Sequence, residues 1–216
     1  MTLAKNKADF SLVLKKLKKH YPDAHCALKF SNPFELLIAT ILSAQCTDER
    51  VNIITAVLFK KFKKPSQLAK ASLAEIEELI RSAGFYKNKA KNIKACCEIL
   101  SEKYNDQVPA NMEQLVELPG VGRKTANVVL GNAFGISSGV VVDTHVTRLA
   151  NRFGWVKSED AVDIEKKLNA LCPQKDWIML SHYLIAHGRA VCKARNPQCQ
   201  DCFLLKDCPH IGIKLA

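Results

Sequence analysis

The chain is 216 residues long, 48% hydrophobic and 25% charged, which is enough to build a sizeable core in one large domain or two small ones and excludes a disordered protein. Its formal net charge of +11 suits a polyanionic partner, nucleic acid first and an acidic membrane surface second. The lysine-rich start (Lys5, Lys7, Lys15, Lys16, Lys18 and Lys19) is followed by no long apolar segment, so neither signal peptide nor anchor is expected and the chain reads as intracellular, with no membrane attachment.

Asp9 to His20 has helical spacing, with Phe10, Val13, Leu14 and Leu17 on one face and lysines on the other; Tyr21-Pro22 ends it. Asn32-Pro33-Phe34-Glu35 is a helix start, with an N-cap Asn, Pro at the first helical position and Glu placed to close a capping box. The helix from Phe34 to Ala44 is apolar nearly all round, which predicts a central buried element. The polar run Ser43 to Asp48 that follows is of the kind that satisfies helix-end backbone groups, and Gln45 is the residue in it that could instead reach a ligand. Val51 to Phe62 is a further amphipathic helix, closed by Lys60, Lys61, Lys63 and Lys64 before Pro65. Ser72 and Glu75 form a capping box for a helix that stops near Gly84. Phe85 and Tyr86 mark a turn before a helix from Asn88 to Tyr104, with Lys87, Lys89, Lys91 and Lys94 beside them. Aromatics among lysines suit nucleic-acid contact, and a core anchor beside a solvated face is the competing reading for each.

The stretch Leu118-Pro119-Gly120-Val121-Gly122-Arg123-Lys124-Thr125-Ala126 joins a short helix, Asn111 to Leu118, to a second, Gly122 to Ala133. Pro-Gly-Val-Gly leaves room only for a tight hairpin, and its glycines admit a second backbone or a phosphate at close range. The N–H groups that open the second helix form an anion site. Arg123 and Lys124 oppose the macrodipole there, which a bound phosphate would offset for Arg123. For Lys124 the same repulsion, helped by partial burial, favours the neutral amine, whose lone pair can attack carbon. The competing reading is an ordinary αα-hairpin with solvated cations. The residues resemble the helix-hairpin-helix module, which grips the DNA backbone without reading sequence.

Gly131 to Gly139 reads as a loop of small residues. Val140-Val141-Val142 has no second run to pair with and reads as buried connector. Asp143 is the natural N-cap of a helix to about Phe153, Ser158 opens another that ends near Leu171, and Trp177 to Ala190 is the last long one. With no convincing strands the fold is predicted all-α, with the best boundary at Gly135 to Gly139 and a discontinuous domain from both chain ends as one solution.

Cys26, Cys46, Cys96, Cys97 and Cys172 are scattered in apolar segments, where free cysteine behaves as a small hydrophobe. Cys192-x6-Cys199-x2-Cys202-x5-Cys208 instead packs four thiols into one window, as for a metal site in a reducing compartment. Tetrahedral zinc and a [4Fe–4S] cluster both suit four cysteines, and a single short knuckle flanked by longer loops favours iron–sulfur modestly. Lys193 and Arg195 lie between the first two cysteines, on a loop that would present them to phosphate.

This spacing, with the hairpin motif and Val142-Asp143-Thr144-His145-Val146 about twenty residues later, resembles the endonuclease III family, the iron–sulfur branch of the helix-hairpin-helix DNA glycosylases. The resemblance runs from about Leu12 to Pro209. It implies a base-excision repair enzyme that removes oxidised or ring-saturated pyrimidines from duplex DNA and then nicks the strand, as a monomer on duplex carrying a damaged pyrimidine or an abasic site. It implies two helical domains, residues 26–136 with the hairpin and residues 1–25 with 137–216 carrying the cluster, on either side of a DNA-binding cleft. Lys124 matches the family's nucleophile and Asp143 its essential carboxylate. Gln45 matches the residue that fills the gap left by the extruded base, and Phe85 falls where the family often has an aliphatic wedge. Gly120, Val121, Gly122 and Arg123 would grip the DNA backbone, with Lys193 and Arg195 on the loop fixed by a [4Fe–4S] cluster on Cys192, Cys199, Cys202 and Cys208. Two other readings share these motifs. A monofunctional relative, such as a mismatch adenine glycosylase, usually lacks the lysine and carries a further C-terminal domain, whereas eight residues follow Cys208 here. A non-enzymatic clamp would use Lys124 for phosphate contact alone.

Overall fold

Asp9 opens the first helix, α1 (Phe10–His20), because its carboxylate accepts from the N–H of Leu12 at 2.7 Å and so satisfies a donor the helix cannot pair itself. The computed structural model describes residues 6–213, which leaves Lys5 of the lysine-rich start outside the described residues. All regular structure among them is helical, as the sequence predicts, and the valine run 140–142 forms no strand. Two compact units result, one made of the chain up to His25 and from Gly139 onward, the other of Cys26–Ser138.

In the unit Cys26–Ser138, Asn32 caps α2 (Pro33–Ser43) by accepting from Glu35 N at 3.0 Å, with Pro33 in the first turn. Glu35 reaches one residue beyond the expected capping box, to Ser31 N at 2.7 Å. Leu36, Leu37, Ile38 and Ala39 are fully buried, and α2 packs against α3 (Asp48–Lys61), α6 (Tyr86–Tyr104) and α8 (Arg123–Phe134), the central element its apolar circumference predicts. Each such leucine withdrawn from water contributes about 2 kcal/mol.

Between α3 and α6 lie α4 (Pro65–Lys70) and α5 (Leu73–Ile80). The sequence reading has no counterpart of α4, because Pro65 is taken there as a stop; it is instead the first helical residue, and Gln67 accepts from Lys63 N and Lys64 N to close the start. α5 is capped by Ser72, as predicted, and stops at Ile80 rather than near Gly84. α7 (Met112–Val116) follows its cap Asn111, which accepts from Gln114 N at 3.0 Å. α8 runs through Gly131, where a loop is expected, and stops at Gly135, whose φ of 68° makes it the left-handed cap; Ile136 N then bonds Leu130 O at 2.9 Å.

In the other unit α9 (Thr144–Arg152) packs on α10 (Ala161–Leu171) and α11 (Trp177–Ala190), and α11 packs on α1. Asp160, accepting from Asp163 N at 2.7 Å, caps α10, so the helix starts later than the Ser158 expected. Val13, Leu17, Val140, Val146, Leu149, Leu180 and Leu184 are fully buried together. The chain start is tied in by Ala8 N to Phe153 O at 2.8 Å and by Trp155 Nε1 to Ala8 O at 3.1 Å.

Candidate functional site

The hairpin is built by two buried side chains and one left-handed residue. Leu118 and Val121 face the core, and the Val121 N–H donates back to Leu118 O at 3.0 Å. The Val121 N–H is thus already paired within the turn. Gly120 has φ 79°, and a Cβ there would stand 3.0 Å from Asn92 Cβ, so both conformation and space require glycine. Gly122, the N-cap of α8, has φ −92° and would meet nothing with a Cβ, so neither conformation nor space within the fold requires glycine there. α8 has neither a side-chain cap hydrogen bond nor an acidic residue in its first turn, an arrangement that suits an anion at the positive end of its dipole. Arg123 and Lys124 are both exposed in that turn. Lys124 lacks the partial burial expected of it.

Gln45 and Phe85 are both exposed and both left-handed, with φ 52° and 56°. Gln45 follows the end of α2, and Phe85 is the N-cap of α6. The two turns touch, since a Cβ on Gly84 would lie 3.3 Å from Gln45 O. For Lys89 and Lys94 the sequence leaves nucleic-acid contact and a solvated face as competing readings, and in the structure both ammoniums turn instead to backbone carbonyls. Lys89 is buried, and its ammonium donates to Leu42 O at 2.8 Å and Ala44 O at 2.6 Å. Lys94 donates to Ala69 O and Ala71 O at the end of α4. Lys87 and Lys91 are exposed. The signal for Lys89 was periodicity, because it stands on the stripe of Ala90, Ile93, Cys96, Cys97 and Leu100 that α6 buries.

In the other unit, Val142 and Val146 anchor Asp143 from either side. Its Oδ1 accepts from His145 N at 2.8 Å and Val146 N at 2.9 Å, and Oδ2 lies 3.0 Å from His145 Nδ1. The N-cap role is thus present, and His145 makes the structural contact that its place at the helix start suggests.

α9 also carries two residues that sequence reasoning missed. Arg148 Nε donates to Cys192 O at 3.1 Å, and its NH2 to Gly188 O at the same distance. One turn on, Arg152 reaches Lys193 O at 2.7 Å, Ala194 O at 3.1 Å and the Cys192 sulfur at 3.2 Å. Their i, i+4 spacing puts both on one helix face, and that was the available signal. Between them they fasten the loop on which Lys193 and Arg195 are exposed.

All nine cysteines are free thiols. Among the described residues no three His, Cys, Asp or Glu side chains converge on one ion position, so the fit of a metal group is read from the surroundings of the sulfurs. Cys192 receives the Arg152 N–H, Cys202 that of Leu204 at 3.4 Å, and Cys208 that of His210 at 3.4 Å. Donors aimed at sulfur are what thiolate ligands of an iron–sulfur cluster require. Burial, with the neighbouring cysteine sulfurs, pushes Cys208 up to about 11, and burial likewise raises Cys199 and Cys202. Raised thiols ionise together around a cationic centre, and the N–H donors at three of the four sulfurs, Cys192, Cys202 and Cys208, fit one.

Residues 38–174 match the family model described as the HhH-GPD superfamily of base excision DNA repair proteins, and residues 192–208 match the iron-sulfur binding domain of endonuclease III. The chain is 52% identical to endonuclease III of Synechocystis sp. over 207 residues, 96% of this chain and 94% of the relative. Against endonuclease III of Bacillus subtilis the identity is 45% over 204 residues, covering 94% and 93%. A solved structure of a trapped endonuclease III–DNA covalent intermediate superposes with a TM-score of 0.88 at 45% identity, covering 96% of both chains.

Proposed function

The chain belongs to the endonuclease III family of base excision DNA repair proteins, and on that premise we propose that it is a bifunctional DNA glycosylase and abasic-site lyase acting on oxidised or ring-saturated pyrimidines in duplex DNA. The observation that carries this reading is Lys124, exposed in the uncapped first turn of α8 directly after a glycine hairpin suited to a phosphate. The trapped covalent intermediate solved for a relative supports a covalent step on DNA.

A base within the stack is out of reach, so the damaged nucleotide leaves the helix and Gln45 and Phe85 enter the space. The neutral Lys124 amine attacks C1′, the glycosidic C–N bond breaks, and the base departs with a proton. The sugar ring opens as Nζ and C1′ form an imine. The imine acidifies the 2′ carbon, which loses a proton; the electron pair forms the 2′–3′ double bond and expels the 3′ phosphate. Water then hydrolyses the imine and regenerates Lys124. A hydroxyl at this position forms no imine and promotes no elimination. Asp143, with its charge held by the start of α9, offsets the positive charge that develops on the sugar as the base leaves. Cys192, Cys199, Cys202 and Cys208 hold the [4Fe–4S] cluster, whose contribution is to cross-link the loop bearing Lys193 and Arg195. We read the protein as a monomer acting inside the cell; no helix among the described residues is long and apolar enough to cross a membrane.

Borohydride trapping on duplex carrying one oxidised thymine tests the assignment. The native protein forms a covalent adduct, and Lys124→Gln binds the duplex but forms none. Base removal without an adduct from the native protein would make it a monofunctional glycosylase, and binding without either reaction would leave a DNA clamp.

A further inference from the structure

Lys89 is 6% exposed, although nothing about a core position in α6 asks for a charge. Its ammonium lies beyond the end of α2, a helix with no basic residue in its last turn, where free carbonyls carry the negative end of the dipole. It donates at 2.8 Å to Leu42 O and at 2.6 Å to Ala44 O. Ala44 O belongs to the peptide that leads into Gln45, so this bond fixes the plane from which the left-handed Gln45 departs. At its other end Lys89 donates its backbone N–H to Phe85 O at 3.1 Å, which closes the first turn of α6. Gly84 then lies against Gln45 O, where even a methyl group would stand at 3.3 Å. Two exposed side chains in strained backbone thus share one buried residue. Desolvation lowers the Lys89 pKa, in keeping with an ammonium held away from water.

We propose that Lys89 is a positioning residue that locks Gln45 and Phe85 into one preset pair, ready to enter the duplex when the damaged nucleotide leaves it. The proposal rests on reading Gln45 and Phe85 as the residues that fill the gap. Without the ammonium, the end of α2 loses its partner and Gln45 its fixed peptide plane, so duplex opening has to order both loops at the moment of reaction. The effect belongs to base removal from duplex and not to chemistry at the sugar. It is therefore absent for a single-stranded abasic oligonucleotide, which has no stack to open.

The test compares Lys89→Met, which keeps length and apolar stem but has no donor, with Lys89→Arg, which restores donors. On duplex with one oxidised thymine, Lys89→Met lowers kcat/KM for base removal by about 10- to 100-fold, the scale of loss from a misplaced group remote from the chemistry. Strand cleavage and borohydride trapping on a single-stranded abasic oligonucleotide change by less than about threefold, and Lys89→Arg recovers part of the duplex activity. A 2-aminopurine beside the lesion reports the same loss as reduced unstacking. In a Gln45→Ala/Phe85→Ala background, adding Lys89→Met has little further effect, because the residues through which it acts are gone. Equal losses on both substrates, or full multiplication in the triple variant, would overturn the proposal. If Gln45→Ala/Phe85→Ala itself leaves duplex excision intact, the reading of those two residues fails, and the proposal with it. Gly84→Ala covers the case in which Lys89→Met does not fold: it crowds Gln45 O without touching the buried charge, and it is expected to reproduce the duplex-specific loss at an unchanged melting temperature. Duplex activity equal to native in that variant counts against coupling of the two turns.

Discussion

In Asp143 one carboxylate serves both as a helix cap and as a charge, and the two uses separate by substitution. Asn at an N-cap accepts the same backbone hydrogen bonds as Asp, so Asp143→Asn keeps the acceptor for His145 N and Val146 N and changes stability by only about 0.5 kcal/mol. Asp143→Ala loses the cap as well and costs about 1 kcal/mol. Both remove the negative charge, so both lower base removal by about 100-fold or more, while their melting temperatures diverge. Parallel loss of activity and stability across the pair would reduce Asp143 to a cap. The cap itself was legible in the sequence, as were Asn32, Ser72 and Asn111, because capping is decided by residues three or four apart. The partners of Lys89, Arg148 and Arg152 were not, since each donates to carbonyls dozens of residues away and backbone carbonyls leave no mark on a sequence.

For the hairpin element, its two glycines answer different demands, and alanine at each tells them apart. Gly120→Ala meets a positive φ and a close Asn92 Cβ, so it destabilises the protein by about 1–3 kcal/mol and weakens DNA binding as the turn distorts. Gly122→Ala has an ordinary φ and open space, and it costs at most about 1 kcal/mol as a poorer N-cap. Its new methyl group nevertheless projects where a phosphate would approach, so DNA affinity falls out of proportion to stability. Melting curves and fluorescence anisotropy on abasic-analogue duplex, run together, read the two effects. Unchanged affinity for Gly122→Ala would mean that DNA does not approach this glycine. Elements were missed or misplaced where proline and glycine signals are ambiguous: Pro65 opens α4 where it was read as a stop, and Gly131 lies within α8 while Gly135, four residues on, is the true cap.

For the whole molecule, the net charge of +11 sets a strong dependence of DNA binding on salt, and the cysteine loop is where that dependence can be traced to named residues. Composition and spacing made the all-α class and the four-cysteine site readable, but not what holds the loop, because that comes from α9, some forty residues earlier in the chain. The loop from Cys192 to Cys208 contains no regular helix; its later half is seated by the buried Leu204 and the Lys16–Asp207 ion pair, and the part bearing Lys193 and Arg195 is held by the guanidinium groups of Arg148 and Arg152 beside the metal group. If Arg195 contacts phosphate, Arg195→Ala lowers the slope of log affinity against log salt by about one. Arg152→Ala removes the hydrogen bonds to Lys193 O, Ala194 O and the Cys192 sulfur, so it gives the same lowered slope in protein whose visible absorbance shows the cluster retained. Oxidative loss of the cluster lowers the slope further, while helix content by circular dichroism stays near native, because α9 and α11 keep their own buried core. A slope unmoved by Arg152→Ala would mean that Arg152 does not set the position of Arg195. A slope unmoved by Arg195→Ala and by cluster loss would remove this segment from the DNA-binding surface.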